Sequence, residues 1–450
     1  MEVVLTLTLK PTTLKRVLII TYYWPPAGGV AVQRWVKMAR YLRQFGWEPV
    51  IYTAENGEMP VIDASLAATL PAGLEVIKRP IWEPYSWYKR FLGLSKEEKI
   101  NAAFLQEKKK TGLLQHLAIW VRGNFFIPDA RRFWIKPSVR FLTDYVKSHP
   151  VDAIISTGPP HSMHLIAMGL KERTGIPWIA DFRDPWTRID YYHELHLTSF
   201  ADKRHHQLEK QVATNADALV TVSMQWANDF NLLNNGNSTV ITNGYDEDDF
   251  PAVHPDPEKG FVLHHVGMIN KARNPETLWL AISNLCKTLP GFSDDLRIVF
   301  TGKNDYSVHE FLEKYGLTGY AENRGQVTHA EAINAMCSAT ILLLLINDAQ
   351  DILGRIPAKL FEYMAAKRPI LAIGDPKGDA ATILEETGAG ILIDLKDVDG
   401  LQSTIASWYA DYKSGKLSVK SAGIEKYARK SVTEQYARLL DSLHRKAARI

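Results

Sequence analysis

Short apolar, β-branched runs recur along the chain between stretches of helical periodicity: VLIITYY (17–23), PVIYTA (49–54), AIISTG (153–158), WIADF (178–182), ALVTVS (218–223) and TVITNG (239–244). After a polar, proline-containing stretch at 251–260 a second series begins: FVLHHVG (261–267), RIVFTG (297–302), ILLLLI (341–346), PILAIG (369–374) and GILIDL (390–395). Strands alternating with helices predict parallel, doubly wound α/β sheets, and the polar interruption divides them into two domains. The expected division is 15–250, 251–424 and a charged amphipathic helix over 425–450 that packs back across the junction. Ligands of such folds sit beyond the C-terminal ends of the strands, so two facing sheets predict a cleft that holds the chemistry.

The chain of 450 residues is long enough for two cores, and its 46% hydrophobic and 23% charged residues fit a folded globular protein. The longest apolar run, ATILLLLI at 339–346, covers less than half a bilayer and reads as a core strand. The N-terminus, with Glu2 and a short alternating stretch, is a poor signal peptide. Cys286 and Cys337 lie far apart without metal-ligand spacing, which fits a reducing cytosol. The net charge of +3 is uneven. Tyr85 to Lys147 holds thirteen Lys or Arg against five Asp or Glu, an excess of +8 that leaves about −5 elsewhere. Trp87, Phe91, Trp120, Phe126, Phe133 and Trp134 are interleaved with those charges. The combination suits an anionic membrane surface or an acidic acceptor, and equally solvated helices whose aromatics face the core. No nucleic-acid partner is expected.

Candidate chemistry gathers at the predicted strand ends. TYYWPPAGGVAVQRW (21–35) follows the first strand, and Gly28 and Gly29 either make a plain turn or let the backbone approach a phosphate at a helix N-terminus. STGPPHSMH (156–164) and IADFRDPW (179–186) break at prolines on the same rim, bringing His161, His164, Asp181, Arg183 and Asp184 toward the cleft. Two carboxylates and an arginine within four residues can orient a sugar or position a hydroxyl, or simply stabilise a turn. In the second domain Lys271 and Arg273 follow a strand end, placed to hold a pyrophosphate or to keep a loop soluble. GRIPAKLFEYMAAKRPILAIG (354–374) puts Pro357 at the start of a helix, whose open N–H groups, with Arg355 and Lys359, make a diphosphate seat. Glu362 lies off that helix's apolar stripe, placed for the hydroxyls of a ribose or for solvent.

In this order and spacing the segments YYWPPAGGVAVQRWVKMARYLRQFGWEPVIYT, ISTGPPHSMHLIA, DFRDPW, VITNGYDEDDF, HHVGMINKARNPETL, RGQVTHAEAINAM and PAKLFEYMAAKRPILAIG resemble retaining glycosyltransferases of the GT-B fold, family 4. The resemblance covers roughly 16–420, and the DFRDPW form looks like a bacterial branch that builds surface polysaccharides. It implies two Rossmann-like domains facing across a cleft, and a cytoplasmic enzyme, peripheral on the inner face of the cell membrane, that moves a sugar from a nucleoside diphosphate sugar to a glycan or lipid-linked acceptor. No cofactor or metal is implied, and no clear Asp-x-Asp metal site is seen. By the same resemblance Gly28 and Gly29 match the glycine loop near the donor phosphates, and Lys271 or Arg273 the diphosphate lysine. Glu362 matches the second glutamate of the family's E-x7-E motif, which binds ribose, and the backbone at Gln326 and Val327 the base-binding loop. Two departures stand out: Gly354 replaces the first glutamate of E-x7-E, and the histidine many relatives carry near DFRDPW is absent, with Arg183 and Asp184 closest to it. Arg355 and Lys359 are then expected to neutralise phosphate. A nucleotide-sugar epimerase of the same fold and a silent sugar-nucleotide binding subunit are the alternative readings.

Overall fold

The computed structural model describes residues 14–59, 61–83, 113–349 and 351–447. Its first sheet has seven parallel strands: β1 Lys15–Ile20, β2 Trp47–Ala54, β3 Glu75–Arg79, β4 Ala153–Gly158, β5 Trp178–Phe182, β6 Ala218–Thr221 and β7 Ser238–Val240. They lie in the order β3-β2-β1-β4-β5-β6-β7. The second sheet has six: β8 Phe261–Val266, β9 Leu296–Thr301, β10 Ala321–Asn323, β11 Ile341–Leu345, β12 Ile370–Gly374 and β13 Gly390–Asp394, in the order β10-β9-β8-β11-β12-β13. Both sheets reverse direction of winding beside their first strand, between β1 and β4 and between β8 and β11. Those two switch points define where a ligand crevice opens.

The central strands are apolar throughout because both faces are covered. In β1, Leu18 and Ile20 enter one core with Trp134, Leu142 and Ile166, while Val17 and Ile19 enter another with Trp35, Val36 and Met38. The second core includes Val432, Tyr436, Leu440 and Leu443 of the last helix, Arg429–Ala447. That helix therefore completes the first domain although the chain reaches it from the second. Domain two repeats the arrangement, Leu342 and Leu344 on one side of β11 and Leu343 and Leu345 on the other. The two crossings of the chain are joined by backbone hydrogen bonds, from Tyr245 N to Tyr427 O (3.2 Å) and from Arg429 N to Tyr245 O (2.7 Å).

Candidate functional site

The loop after β1 separates the two glycines by cause. A Cβ on Gly28 would lie 2.8 Å from Cβ of Asp63 and 3.1 Å from Val61. Gly28 N also donates to Val61 O (2.9 Å). Its smallness thus serves packing against the chain's own 61–63 segment. Gly29 has φ +100° and open space around it, a conformation essentially reserved for glycine, and it caps the helix Val30–Leu42. Of the pair, only Gly29 leaves a backbone that something outside the chain can approach.

The loops after β4 and β5 meet, but they divide the expected polar cluster. Asp181 is fully buried: it accepts from Thr157 Oγ1 (2.8 Å) and from Tyr436 OH (2.5 Å), with Arg34 Nη2 at 3.4 Å. It ties β4, the first helix and the last helix together and does not face the cleft, which corrects its assignment to the reacting groups. A carboxylate at a strand end was ambiguous in sequence because its partners lie 24, 147 and 255 positions away. His164 is likewise a core residue, its Nδ1 2.8 Å from Ser156 Oγ and its pKa held down to about 3 by burial. His161 stacks on Trp186 (centroids 4.5 Å apart, 2° between planes), and burial keeps it neutral. Arg183 donates to Thr157 Oγ1 (3.0 Å) and Pro159 O (2.6 Å), bracing one loop on the other.

Asp184 faces the cleft. It makes no hydrogen bond among the described residues, and burial pushes its carboxyl up against the opposing pull of Arg183 and Arg355. It borders a cavity of about 650 Å³ between the domains, lined also by Asp190 and Tyr191 from the first and by Arg273, Asn347 and Arg355 from the second.

On the second-domain wall, Arg273 donates to Asn347 Oδ1 (2.7 Å), which turns its guanidinium inward, whereas Lys271 is exposed and does not line the cavity. Lys359 reaches back over the end of β8, where a Cβ on Gly267 would lie 2.6 Å from its Nζ. Burial lowers its pKa, with Glu362 opposing and Arg273 adding to the effect. Arg355 pairs with Asp351 (2.7 Å) and, across the cleft, with Asp190 (2.9 Å). The helix behind them runs Lys359–Ala365, two residues later than Pro357 predicts, because Leu360 N bonds to Pro357 O (2.9 Å) in a preceding turn. Glu362 is half-buried, its charge felt by both Lys359 and His329. Gln326 and Val327 are exposed, and Val327 borders a separate cavity of about 520 Å³ with Arg324 and Asn334.

Gly354 has a specific reason. A Cβ there would run into the indole of Trp226, so a first-domain ring fills the place a glutamate side chain would need. No local pattern in the chain signals this contact, nor the roles of Asp190 and Asn347. Asp246 and Asp248, which do read Asp-x-Asp, are bound by Lys37 (2.6 Å) and Arg40 (2.8 Å).

Of the basic, aromatic segment, residues 85–112, including Lys108, Lys109 and Lys110, lie outside the described residues. Within the remainder Arg131 is buried and paired with Glu83 (2.9 Å), and Trp134 is in the core, so these two are not surface groups. Phe125 and Phe133 are exposed. Among the described residues no helix is long and apolar enough to cross a membrane.

Two Rossmann-like sheets whose strand ends border a shared polar cleft make the GT-B fold. A family profile described as "Glycosyl transferase 4-like domain" matches residues 28–245, and one described as "Glycosyl transferases group 1" matches 246–430. The chain belongs to the glycosyltransferases built from these two domains. Among solved structures it is similar to HepE from Anabaena in complex with UDP-glucose, at 13% identity and TM-score 0.54, covering 97% of this chain and 98% of that one. It is also similar to the lipopolysaccharide outer core galactosyltransferase WaaB, at 13% identity and TM-score 0.57, covering 95% and 99%. Sucrose-phosphate synthase from Thermosynechococcus elongatus aligns at 13% identity and TM-score 0.54, covering 97% and 98%. No curated protein matches the sequence.

Proposed function

We propose that the protein transfers a sugar from a nucleoside diphosphate sugar to a hydroxyl of a glycan or lipid-linked acceptor, with retention of configuration and without a metal, in the building of a bacterial surface polysaccharide. The carrying observation is the cation cluster at the end of β8. Among the described residues Arg273 and Lys359 have no carboxylate bound to them, and burial lowers the pKa of each. Cations held this way gain most from an anion that arrives in the cleft, and more still from the charge that develops on a leaving diphosphate. Glu362, whose charge Lys359 feels, takes the ribose, and the exposed residues Gln326 and Val327 take the base. Gly29, whose backbone lies open, takes the donor phosphates from the first domain. On the first-domain side Asp184 orients the donor sugar or the attacking hydroxyl, with His161 as a neutral hydrogen-bonding partner and Arg183 bracing both. The leaving phosphate itself takes the acceptor proton. A reaction site on the cytoplasmic side fits a nucleotide-sugar donor. That HepE structures hold UDP and UDP-glucose supports this reading of the cleft.

The test is calorimetry with UDP, GDP and ADP on the wild type and on Arg273→Ala and Lys359→Ala. Each lost charged hydrogen bond should weaken the preferred diphosphate by about 1.5–3 kcal/mol, with the corresponding monophosphate less affected. Equal affinity of wild type and variants removes the phosphate assignment. The anomeric configuration of the product, read by NMR, decides retention.

A further inference from the structure

A second cavity, of about 210 Å³, opens in the first domain and touches the interdomain cleft: Ile189 and Tyr191 line both. Its other walls include Phe126, Trp186, Tyr192 and His161, with Arg122 beside them. It is smaller than the roughly 300–1,000 Å³ of sites that enclose a drug-sized ligand, and so suits a single ring. Aromatic walls with a few polar groups are the lining a sugar ring uses, its C–H faces against rings and its hydroxyls toward the polar edges.

The charge balance of this cavity is specific. Its carboxylate, Asp129, is already spent: it accepts from Ser162 N (2.9 Å), Ser162 Oγ (2.8 Å) and Arg131 N (2.9 Å), which caps the helix Ser162–Thr174. Arg131 is bound to Glu83. The imidazole of His161 is held neutral by burial, with its Nδ1 turned against Gly158. Arg122 is half-buried, and its guanidinium makes no hydrogen bond or ion pair among the described residues. A partly desolvated guanidinium without a carboxylate is set to bind an anion through paired N–H donors.

We propose that this cavity is the acceptor subsite, and that the acceptor's terminal sugar carries an anionic group, phosphate or carboxylate, which Arg122 holds. The inference rests on the glycosyl-transfer reading of the neighbouring cleft. With the ring seated here, the shared wall at Tyr191 turns its free hydroxyl toward Asp184, and Arg122 fixes the register.

The test uses glucose 1-phosphate, glucuronic acid and methyl α-glucoside as probes, and UDP as the cleft control, with calorimetry on wild type, Arg122→Gln and Arg122→Lys. In the wild type at least one anionic sugar should bind about tenfold or more tightly than the neutral glucoside, a preference that Arg122→Gln abolishes and Arg122→Lys partly keeps. Which anionic probe wins separates phosphate from carboxylate. UDP affinity should stay within about twofold in both variants, since Arg122 is outside the cation cluster of the cleft. Equal binding of neutral and anionic sugars, or no binding of either anionic sugar, overturns the proposal, as does a parallel loss of UDP in Arg122→Gln. Absence of nucleotide binding in the wild type with the anionic preference intact would instead sink the transfer reading alone.

Discussion

Asp181 and Asp184 stand three positions apart in one strand-to-loop segment and do opposite things. Asp181 points into the sheet, where Thr157, Tyr436 and Arg34 consume both oxygens. Asp184 points out, beside Arg183 and Arg355, with no hydrogen bond among the described residues. The period-2 alternation of β5 placed both at a strand end but could not say which side chain found partners, because those partners come from distant helices. Asp181→Asn leaves Arg34 without its counter-charge in a dry site, which should cost about 3–5 kcal/mol of stability in denaturant unfolding. Native stability with a selective loss of turnover would return Asp181 to the reacting groups. Gly354 is tested through its contact with Trp226. Gly354→Ala should destabilise by about 1–3 kcal/mol by overpacking, and Trp226→Leu in the same chain should recover part of that loss. Purely additive effects in the double-mutant cycle would show that the indole is not what excludes a side chain.

At the scale of elements, eleven of the strands were legible as apolar runs, and β3 and β10 were not. The reason is position: β3 (EVIKR) and β10 (AEN) are the edge strands on the β2 and β9 sides, half-buried or exposed, so nothing selects an unbroken apolar run there. The last helix was legible as amphipathic, but its docking site rests on Tyr436 and Asp441, whose partners Asp181, Lys15 and Trp47 no local pattern announces. The helix His329–Ser338 makes a pH-dependent tie to the 3-10 turn Glu247–Asp249, through His329 Nε2 and Asp249 Oδ2 at 3.3 Å. The hydrogen bond to Asp249 raises the His329 pKa. Its stabilisation is therefore complete below the unfolded value of about 6.5 and is lost as pH rises through the higher folded value. Asp249, which burial alone would push up, is held below its ordinary value by His329 and Lys37, so its share disappears in acid. The melting-temperature difference between wild type and His329→Gln should accordingly be larger near pH 6 than near pH 8.5, given those ordinary pKa values. A difference independent of pH would mean that His329 contributes by packing alone.

Across the whole molecule, the two domains are linked at the cleft by contacts of unequal strength. Trp226 packs into the space at Gly354, Gln225 N donates to Asp379 Oδ2 (2.9 Å), and Arg355 bridges to Asp190 (2.9 Å). The first two are set by shape and by a neutral donor, and a nucleotide in the cavity need not disturb them. The third uses a cation that the proposed diphosphate also needs. Asp190 and a donor phosphate therefore compete for Arg355, while Asp351, bound to the same guanidinium from its own domain, stays in place. Asp190→Asn removes the competitor and should tighten UDP binding about two- to fivefold, the scale of a half-exposed ion pair. Arg355→Ala should weaken it, and uridine monophosphate should respond less to either change. The opposite sign is the informative failure. Weaker UDP-sugar binding in Asp190→Asn at unchanged UDP affinity would place Asp190 on the sugar, where it would supply from the first domain the carboxylate that Trp226 displaces from position 354.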